Sequence, residues 1–195
     1  MSSSKATILS ALRAQQIADV DLPRLDRDWI RYDDPLAQFT AQVEGVGGRV
    51  VYVASEAEIA SQLAELPAFA GASQVVSAIP SVAGSVDMAS IDDPHELETV
   101  DWAIFPGHFG VAENGAVWVT DEHLRHRAVY FITQHLALVL PADQIVHNLY
   151  EAYARLQLGQ SSLGLFISGP SKTADIEQSL IIGAHGPRSL TVFCV

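Results

Sequence analysis

Between residues 34 and 79, helix-start signals alternate with short runs of β-branched residues, and this alternation constrains the fold more than any other feature of the chain. Asp34-Pro35 pairs an N-cap residue with a proline at the first helical position. The helix it opens carries Phe39 and Val43 inward and ends at Gly45, Gly47 and Gly48. Arg49-Val-Val-Tyr-Val53 then reads as a buried strand. Ser55-Glu-Ala-Glu58 fits a capping box opening a helix to about Leu66, and Gln74-Val-Val-Ser-Ala-Ile79 is the next strand. Helix, strand, helix, strand in this order predicts parallel pairing with right-handed crossovers.

The pattern changes around this segment. Residues 4–18 place Ile8, Leu9, Leu12 and Ile17 at helical spacing, so the chain opens with an amphipathic helix. Residues 19–34 are acidic and irregular, so residues 1–34 read as a helix and connector arm ahead of an α/β domain at 35–195. Asp93-Pro-His-Glu96 starts a short helix. Residues 101–104, 115–120, 128–132 and 136–140 are short apolar runs separated by brief turns, which suggests a meander or mixed sheet. A helix over residues 142–156 follows, with Ile145, Leu149 and Tyr153 on one face. A strand at Leu163-Gly-Leu-Phe-Ile167, a helix opening near Ala174 and a last strand, Leu190-Thr-Val-Phe-Cys-Val195, complete the chain.

With 195 residues the chain fits one domain with room for a substantial core. A hydrophobic content of 49% and a mean hydropathy of +0.20 describe a packed protein. Its net charge of −12 argues against nonspecific binding to nucleic acid or anionic lipid. Any bound anion therefore needs a local cluster of donors. The single cysteine, Cys194, excludes an intrachain disulfide and supplies too few thiolates for an iron–sulfur cluster; it reads as a buried apolar side chain. The first residues lack an apolar signal core, and no apolar window reaches the length of a membrane helix, so the expectation is a cytoplasmic, soluble protein. A homo-oligomer is compatible with these features.

Two turns near the carboxyl terminus concentrate the candidate chemistry. Gly169-Pro-Ser-Lys-Thr173 follows an apolar strand, and a helix start there would offer unpaired N–H groups to an anion. Lys172 would add charge, and Ser171 and Thr173 hydroxyl donors. Local capping, with Asp175 near the dipole, accounts for much of this composition but not for Lys172, whose charge opposes a helix start. The segment fails as a nucleotide P-loop, because Pro170 and Ser171 separate Gly169 from Lys172. In His185-Gly-Pro-Arg188, Arg188 offers a bidentate contact to a carboxylate or phosphate, and His185 an imidazole able to transfer a proton. A salt bridge and a backbone-bonded histidine are the structural alternatives. Glu113-Asn114-Gly115, entering a strand, is either a nucleophile or general base with its turn, or simply an Asn-Gly turn. His123 and His126 lie in a charge run with no further ligands evident, so no metal site is assigned. Trp29, Trp102 and Trp118 read as core or interface anchors rather than stacking platforms. Ligand sites are expected beyond the carboxyl ends of the strands.

Ile167-Ser-Gly-Pro-Ser-Lys-Thr-Ala-Asp-Ile-Glu177 and Gly183-Ala-His-Gly-Pro-Arg188, in tandem, resemble the carboxyl-terminal signature of the lactate-utilisation (LUD) domain family, in particular its lactate utilisation protein C branch. The resemblance implies a three-layer-like NagB/RpiA/CoA-transferase-like α/β fold, with a mostly parallel mixed sheet flanked by helices. It also implies an accessory role in oxidising L-lactate to pyruvate, with iron–sulfur clusters confined to partner proteins and no cofactor on this chain. The candidate site read from the turns themselves combines Glu113 and His185 as catalytic residues with Asn114, Gly115, Gly169, Ser171, Lys172, Thr173, Asp175 and Arg188 as ligand-binding residues. Where relatives carry Asp- or Glu-Thr-Gly-Thr/Ser, this chain has Glu113-Asn-Gly-Ala116. That segment also resembles the Ser-Glu-Asn-Gly motif of CoA-transferase β-subunits, in which the glutamate is the nucleophile. The alternative it raises is a stand-alone enzyme of acyl-CoA-transfer or sugar-phosphate-isomerase type.

Overall fold

The alternation read from residues 34–79 supplies the two outer strands of a parallel sheet, which pair with later strands and not with each other. The structure is a computed structural model that describes residues 4–15, 20–21, 23, 25, 27–122, 124–157, 159, 161–174 and 180–195. In chain order the elements are α1 (Ser4–Ala14), α2 (Pro35–Gly45), β1 (Arg49–Tyr52), α3 (Ile59–Ala64), α4 (Pro67–Ala70) and β2 (Val75–Ser77). Then come β3 (Trp102–Pro106), β4 (Phe109–Val111), β5 (Ala116–Thr120), α5 (Val129–Ile132), β6 (His135–Leu140) and β7 (Ile145–Val146). The last are α6 (Leu149–Arg155), β8 (Gly164–Ile167), β9 (Lys172–Thr173), β10 (Ile181–Ile182) and β11 (Ser189–Cys194).

Five strands form a sheet in the order β1-β11-β6-β3-β2, and every pairing in it is parallel. A second sheet, β7-β4-β5-β8, holds antiparallel pairs between β4 and β5 and between β5 and β8. β9 and β10 form a separate antiparallel ribbon. The expected α/β class, with a mostly parallel sheet flanked by helices, is the class observed. The antiparallel pairing suggested by the middle of the sequence is confined to the second sheet.

Strand periodicity sets the layers. Along β6, Leu136, Leu138 and Leu140 face one side while Ala137 and Val139 face the other; along β3, Ala103 and Phe105 oppose Trp102 and Ile104. One face packs with Ile59 and Leu63 of α3. The opposite face meets Phe39 and Val43 of α2 and the inward residues Val117 and Val119 of β5. The second sheet's outer face, with Phe109 and Val146, is covered by Ala152 of α6. Phe39, Leu63 and Phe193 are each 0% exposed, and burying such a side chain contributes about 1.5–3 kcal/mol.

Local signals hold where short-range chemistry suffices. Asp34 Oδ1 accepts from Ala37 N at 2.9 Å behind Pro35, and Asp93 and Glu96 form a reciprocal capping box on a 3-10 turn at Pro94–Thr99. Elsewhere tertiary pairing overrides them. Ser55 makes no side-chain cap bond; Glu58 Oε2 alone accepts, from Ala54 N at 3.2 Å, and α3 ends at Ala64. β1 is a half-exposed edge strand rather than a buried one, because only β11 pairs with it. Residues 128–132, expected as part of a meander, supply the short helix α5. The single helix expected over residues 142–156 is instead β7 followed by α6. Ala112 N donates to Val146 O at 2.8 Å, and Asn148 Oδ1 restarts the chain as a helix by accepting from Glu151 N at 2.9 Å.

Of the expected arm, residues 29–32 lie against α6: Trp29 stacks on Tyr150 with centroids 5.0 Å apart, and Arg31 pairs with Glu151 at 2.6 Å. α1 buries none of its residues, and Ile17 lies outside the described residues. No helix among the described residues is long and apolar enough to cross a membrane.

Candidate functional site

The β5–β8 register, Val117 opposite Ile167, sets the Glu113–Gly115 turn beside the turn that follows β8. Ser168 Oγ donates to Asn114 O at 2.8 Å and links the two. Gly115 and Gly169 both have positive φ, 67° and 73°, and both press on the end of α2. A Cβ on Gly115 would stand 2.7 Å from Val43 N, and one on Gly169 2.9 Å from Val46 O. Packing alone thus requires glycine at both positions. Asn114 Oδ1 accepts from Ala116 N at 3.1 Å, an Asx turn. Glu113 is exposed, and its Oε2 accepts from Leu149 N at 2.8 Å in the first turn of α6.

The second turn folds back on the first. Ser171 N donates to Pro187 O at 2.8 Å, Gly183 N donates to Ser171 O at 2.9 Å, and Arg188 N donates to Gln134 O at 2.8 Å. Gly169, Ser171 and His185 line a small apolar cleft of about 260 Å³ with Phe131, Leu165 and Ile167. Lys172 and Thr173 are not helical: they form β9, paired with Ile182 and Ile181. The helix start expected near Ala174, with its anion-binding dipole, is not present at Lys172. The backbone bonds of Ser171 and the β-branched Thr173, Ile181 and Ile182 draw the chain into a ribbon instead. Asp175 lies outside the described residues, as does His123. Lys172, His185 and Arg188 are exposed. The Gly169 turn leaves the carboxyl end of β8 and the Glu113 turn that of β4, as the sequence suggested, while the His185–Arg188 turn enters the amino end of β11.

Two further groups come together only in the folded chain. His135, at the amino end of β6, places Nδ1 2.8 Å from Ser189 Oγ and stacks on Trp102 with centroids 4.9 Å apart. Burial, reinforced by the Arg188 charge and opposed by Asp101, holds its pKa below the ordinary histidine value.

The second group lines a cleft of about 940 Å³ where β3 ends and β4 begins, with His108, Trp118, Arg127 and Arg155 among its walls. His108 Nε2 is 3.0 Å from Thr120 Oγ1. Arg127 is 3.4 Å from Asp121 Oδ2 and donates to Ser162 Oγ at 3.1 Å. Asp121 also accepts from Ser162 Oγ at 2.6 Å and Leu163 N at 3.0 Å; those two bonds, then Arg127, hold its carboxyl below its usual pKa. Arg155 lies 5.7 Å above the Phe109 ring and donates to Gln144 Oε1 at 3.3 Å. His108 lies two residues past the carboxyl end of the parallel strand β3, a signal the sequence did carry once β3 was placed. His126 Nε2 lies 2.8 Å from Ile91 O, and the described residues contain no cluster of metal-ligating side chains.

The pattern of the LUD domain matches residues 82–195, more than half of the chain and all the loops just described. The chain belongs to the LUD domain family. This LUD protein is 36% identical over 103 residues to lactate utilization protein C 1 of Bacillus mycoides, a match covering 49% of this chain and 44% of that protein. It is 32% identical over 97 residues to lactate utilization protein C of Shouchella clausii, covering 47% and 42%. The matched part therefore spans less than half the length of these relatives. An uncharacterized protein of Neisseria meningitidis is 45% identical over 49 residues, covering 25% of this chain and 21% of that one. A crystal structure of a DUF162 family protein from Deinococcus radiodurans shares the fold, with TM-score 0.63 and 22% identity over 83% of this chain and 96% of that one.

Proposed function

We propose that this LUD protein is an accessory component of L-lactate utilisation. In this reading it acts in the oxidation of L-lactate to pyruvate together with iron–sulfur partner proteins, in the cytoplasm. At the loop cluster it holds a small carboxylate or a phosphate-bearing ligand. The observation that carries the proposal is kinship with proteins named lactate utilization protein C, within a family match that runs through both loops. The one cysteine supports assigning electron transfer to partners, since a cluster normally takes four protein ligands. Exposed Lys172 and Arg188 would supply the charge for the anion, and Gly169, Ser171 and Thr173 the backbone and hydroxyl donors. His185, on the rim of the small cleft, would carry a proton, as would Glu113 if there is turnover.

Calorimetric titration with L-lactate, pyruvate and phosphate tests the binding. The wild type is expected to bind at least one of them, and a Lys172→Met/Arg188→Met double variant about tenfold or more weakly. No heat with any of the three, or unchanged affinity in the variant, counts against an anion site here. Growth on L-lactate after deletion of the gene, with capture of iron–sulfur proteins on the tagged chain, tests the pathway role. Undiminished growth of the deletion strain would overturn it.

A further inference from the structure

The geometry points to a second binding site, separate from the loop cluster, in the cleft beyond the carboxyl end of β3: it takes an anionic ligand that carries a flat ring system. Four observations converge. The first is size. At about 940 Å³ the cleft is near the top of the roughly 300–1,000 Å³ range of ligand cavities, far more than a three-carbon acid needs. The second is charge. The chain has 11 basic residues against 23 acidic ones, yet two guanidiniums, Arg127 and Arg155, line this one cleft beside His108.

The third is availability. The two carboxylates on the walls, Asp121 and Glu122, already have interactions of their own. Arg155 pairs with no carboxylate among the described residues. It uses a single N–H on Gln144 and rests over Phe109, so most of its five donors are left for a ligand. A guanidinium anchored over a ring and by one hydrogen bond keeps its remaining N–H groups for bidentate contact with a carboxylate or phosphate. The fourth is the aromatic wall. Trp118 is half-buried, its ring centroid is 4.7 Å from that of Phe166, and it also lines the cleft. An indole so placed offers a rigid surface to a planar group. Trp118 is therefore more than the core anchor its sequence context suggested.

The experiment follows the Trp118 indole N–H resonance, identified by its loss in Trp118→Phe. The full chain is titrated with adenosine monophosphate, flavin mononucleotide and anilinonaphthalene sulfonate as ring-bearing anions. Adenosine serves as the ring without charge, and inorganic phosphate and L-lactate as charge without ring. At least one ring-bearing anion is expected to shift the resonance and to bind about tenfold or more tightly than adenosine, phosphate or lactate. Arg155→Met is expected to lose that margin and Arg155→Lys to keep part of it, with the circular-dichroism spectrum unchanged in both. His108→Asn provides a second probe should Arg155→Met fold poorly, with weaker binding again expected. The proposal is overturned if no ring-bearing anion shifts the resonance at millimolar concentration. It is equally overturned if phosphate or lactate binds as tightly, or if the folded variants bind like wild type. Binding of lactate at the loop cluster would leave the Trp118 resonance unmoved, so the two sites are scored separately.

Discussion

Gly164 and Trp118 occupy one space: a Cβ on Gly164 would stand 2.4 Å from both Cη2 and Cζ2 of the indole, across the β5–β8 ladder. The missing side chain leaves room for the ring beside the β8 backbone. Gly164→Ala is expected to displace the indole and cost about 1–3 kcal/mol, as overpacking does. Thermal denaturation should show a Tm lower by several degrees, with red-shifted tryptophan emission. An unchanged Tm and emission spectrum would mean that the contact is not maintained in solution.

Glu113 has a structural duty that a turn residue need not have. It accepts from Leu149 N in the first turn of α6, where Asn148 caps Glu151. Glu113→Gln keeps an acceptor but removes a charge beside the helix start, so it is expected to cost about 1 kcal/mol or less in denaturant unfolding. A nucleophilic glutamate would behave differently: growth on lactate would be abolished with stability nearly intact, and wild type would yield a trappable glutamyl-CoA thioester. The two measurements together separate helix support from catalysis.

His135 gives stability a slope on the acid side of 6.5. Its folded-state pKa lies below the ordinary value of 6.5, chiefly through burial, with Arg188 adding to the effect and Asp101 opposing it. The unfolded chain therefore takes up a proton at a pH where the folded chain does not. Its contribution is complete above the unfolded pKa and is lost as pH falls through the window below 6.5. His95 has the opposite sign. Its exposed imidazole, raised by Asp93, contributes below 6.5 and loses that contribution as pH rises through its folded pKa. Urea midpoints for wild type and His135→Asn between about pH 5 and 8 isolate the first effect. The variant should lose part of the acid-side decline. Parallel curves would assign the slope to other groups.

Cys194 is 1% exposed, and burial pushes its thiol up to about 11. At pH 8 only about a thousandth of such a thiol is thiolate, the reactive form. A disulfide reagent is expected to leave the native protein unlabelled over minutes and to label one thiol per chain in denaturant. Rapid labelling of the native state would mean that the end of β11 opens readily.

Neighbours along the chain settle the local elements. Asp34-Pro35 and Asp93-Pro-His-Glu96 start their elements because a cap needs only residues within one turn. The β-branched runs name most strands, and the paired turns around Gly169 and His185 name the family. Contacts between distant segments decide which surfaces they share. Ile145 and Val146 leave a helical pattern because β4 offers them a strand partner. Lys172 and Thr173 become a ribbon because Ile182 and Ile181 stand opposite. Gly115 and Gly169 are fixed by the end of α2, a contact that no turn propensity encodes. His108, Trp118, Arg127 and Arg155 line one cleft only because the second sheet folds over the first and α6 closes on it. Hydrogen bonds and apolar packing between segments far apart in sequence outweigh propensities of a few tenths of a kcal/mol per residue. That balance is why the caps at Asp34 and Asp93 were legible along the chain and the cleft was not.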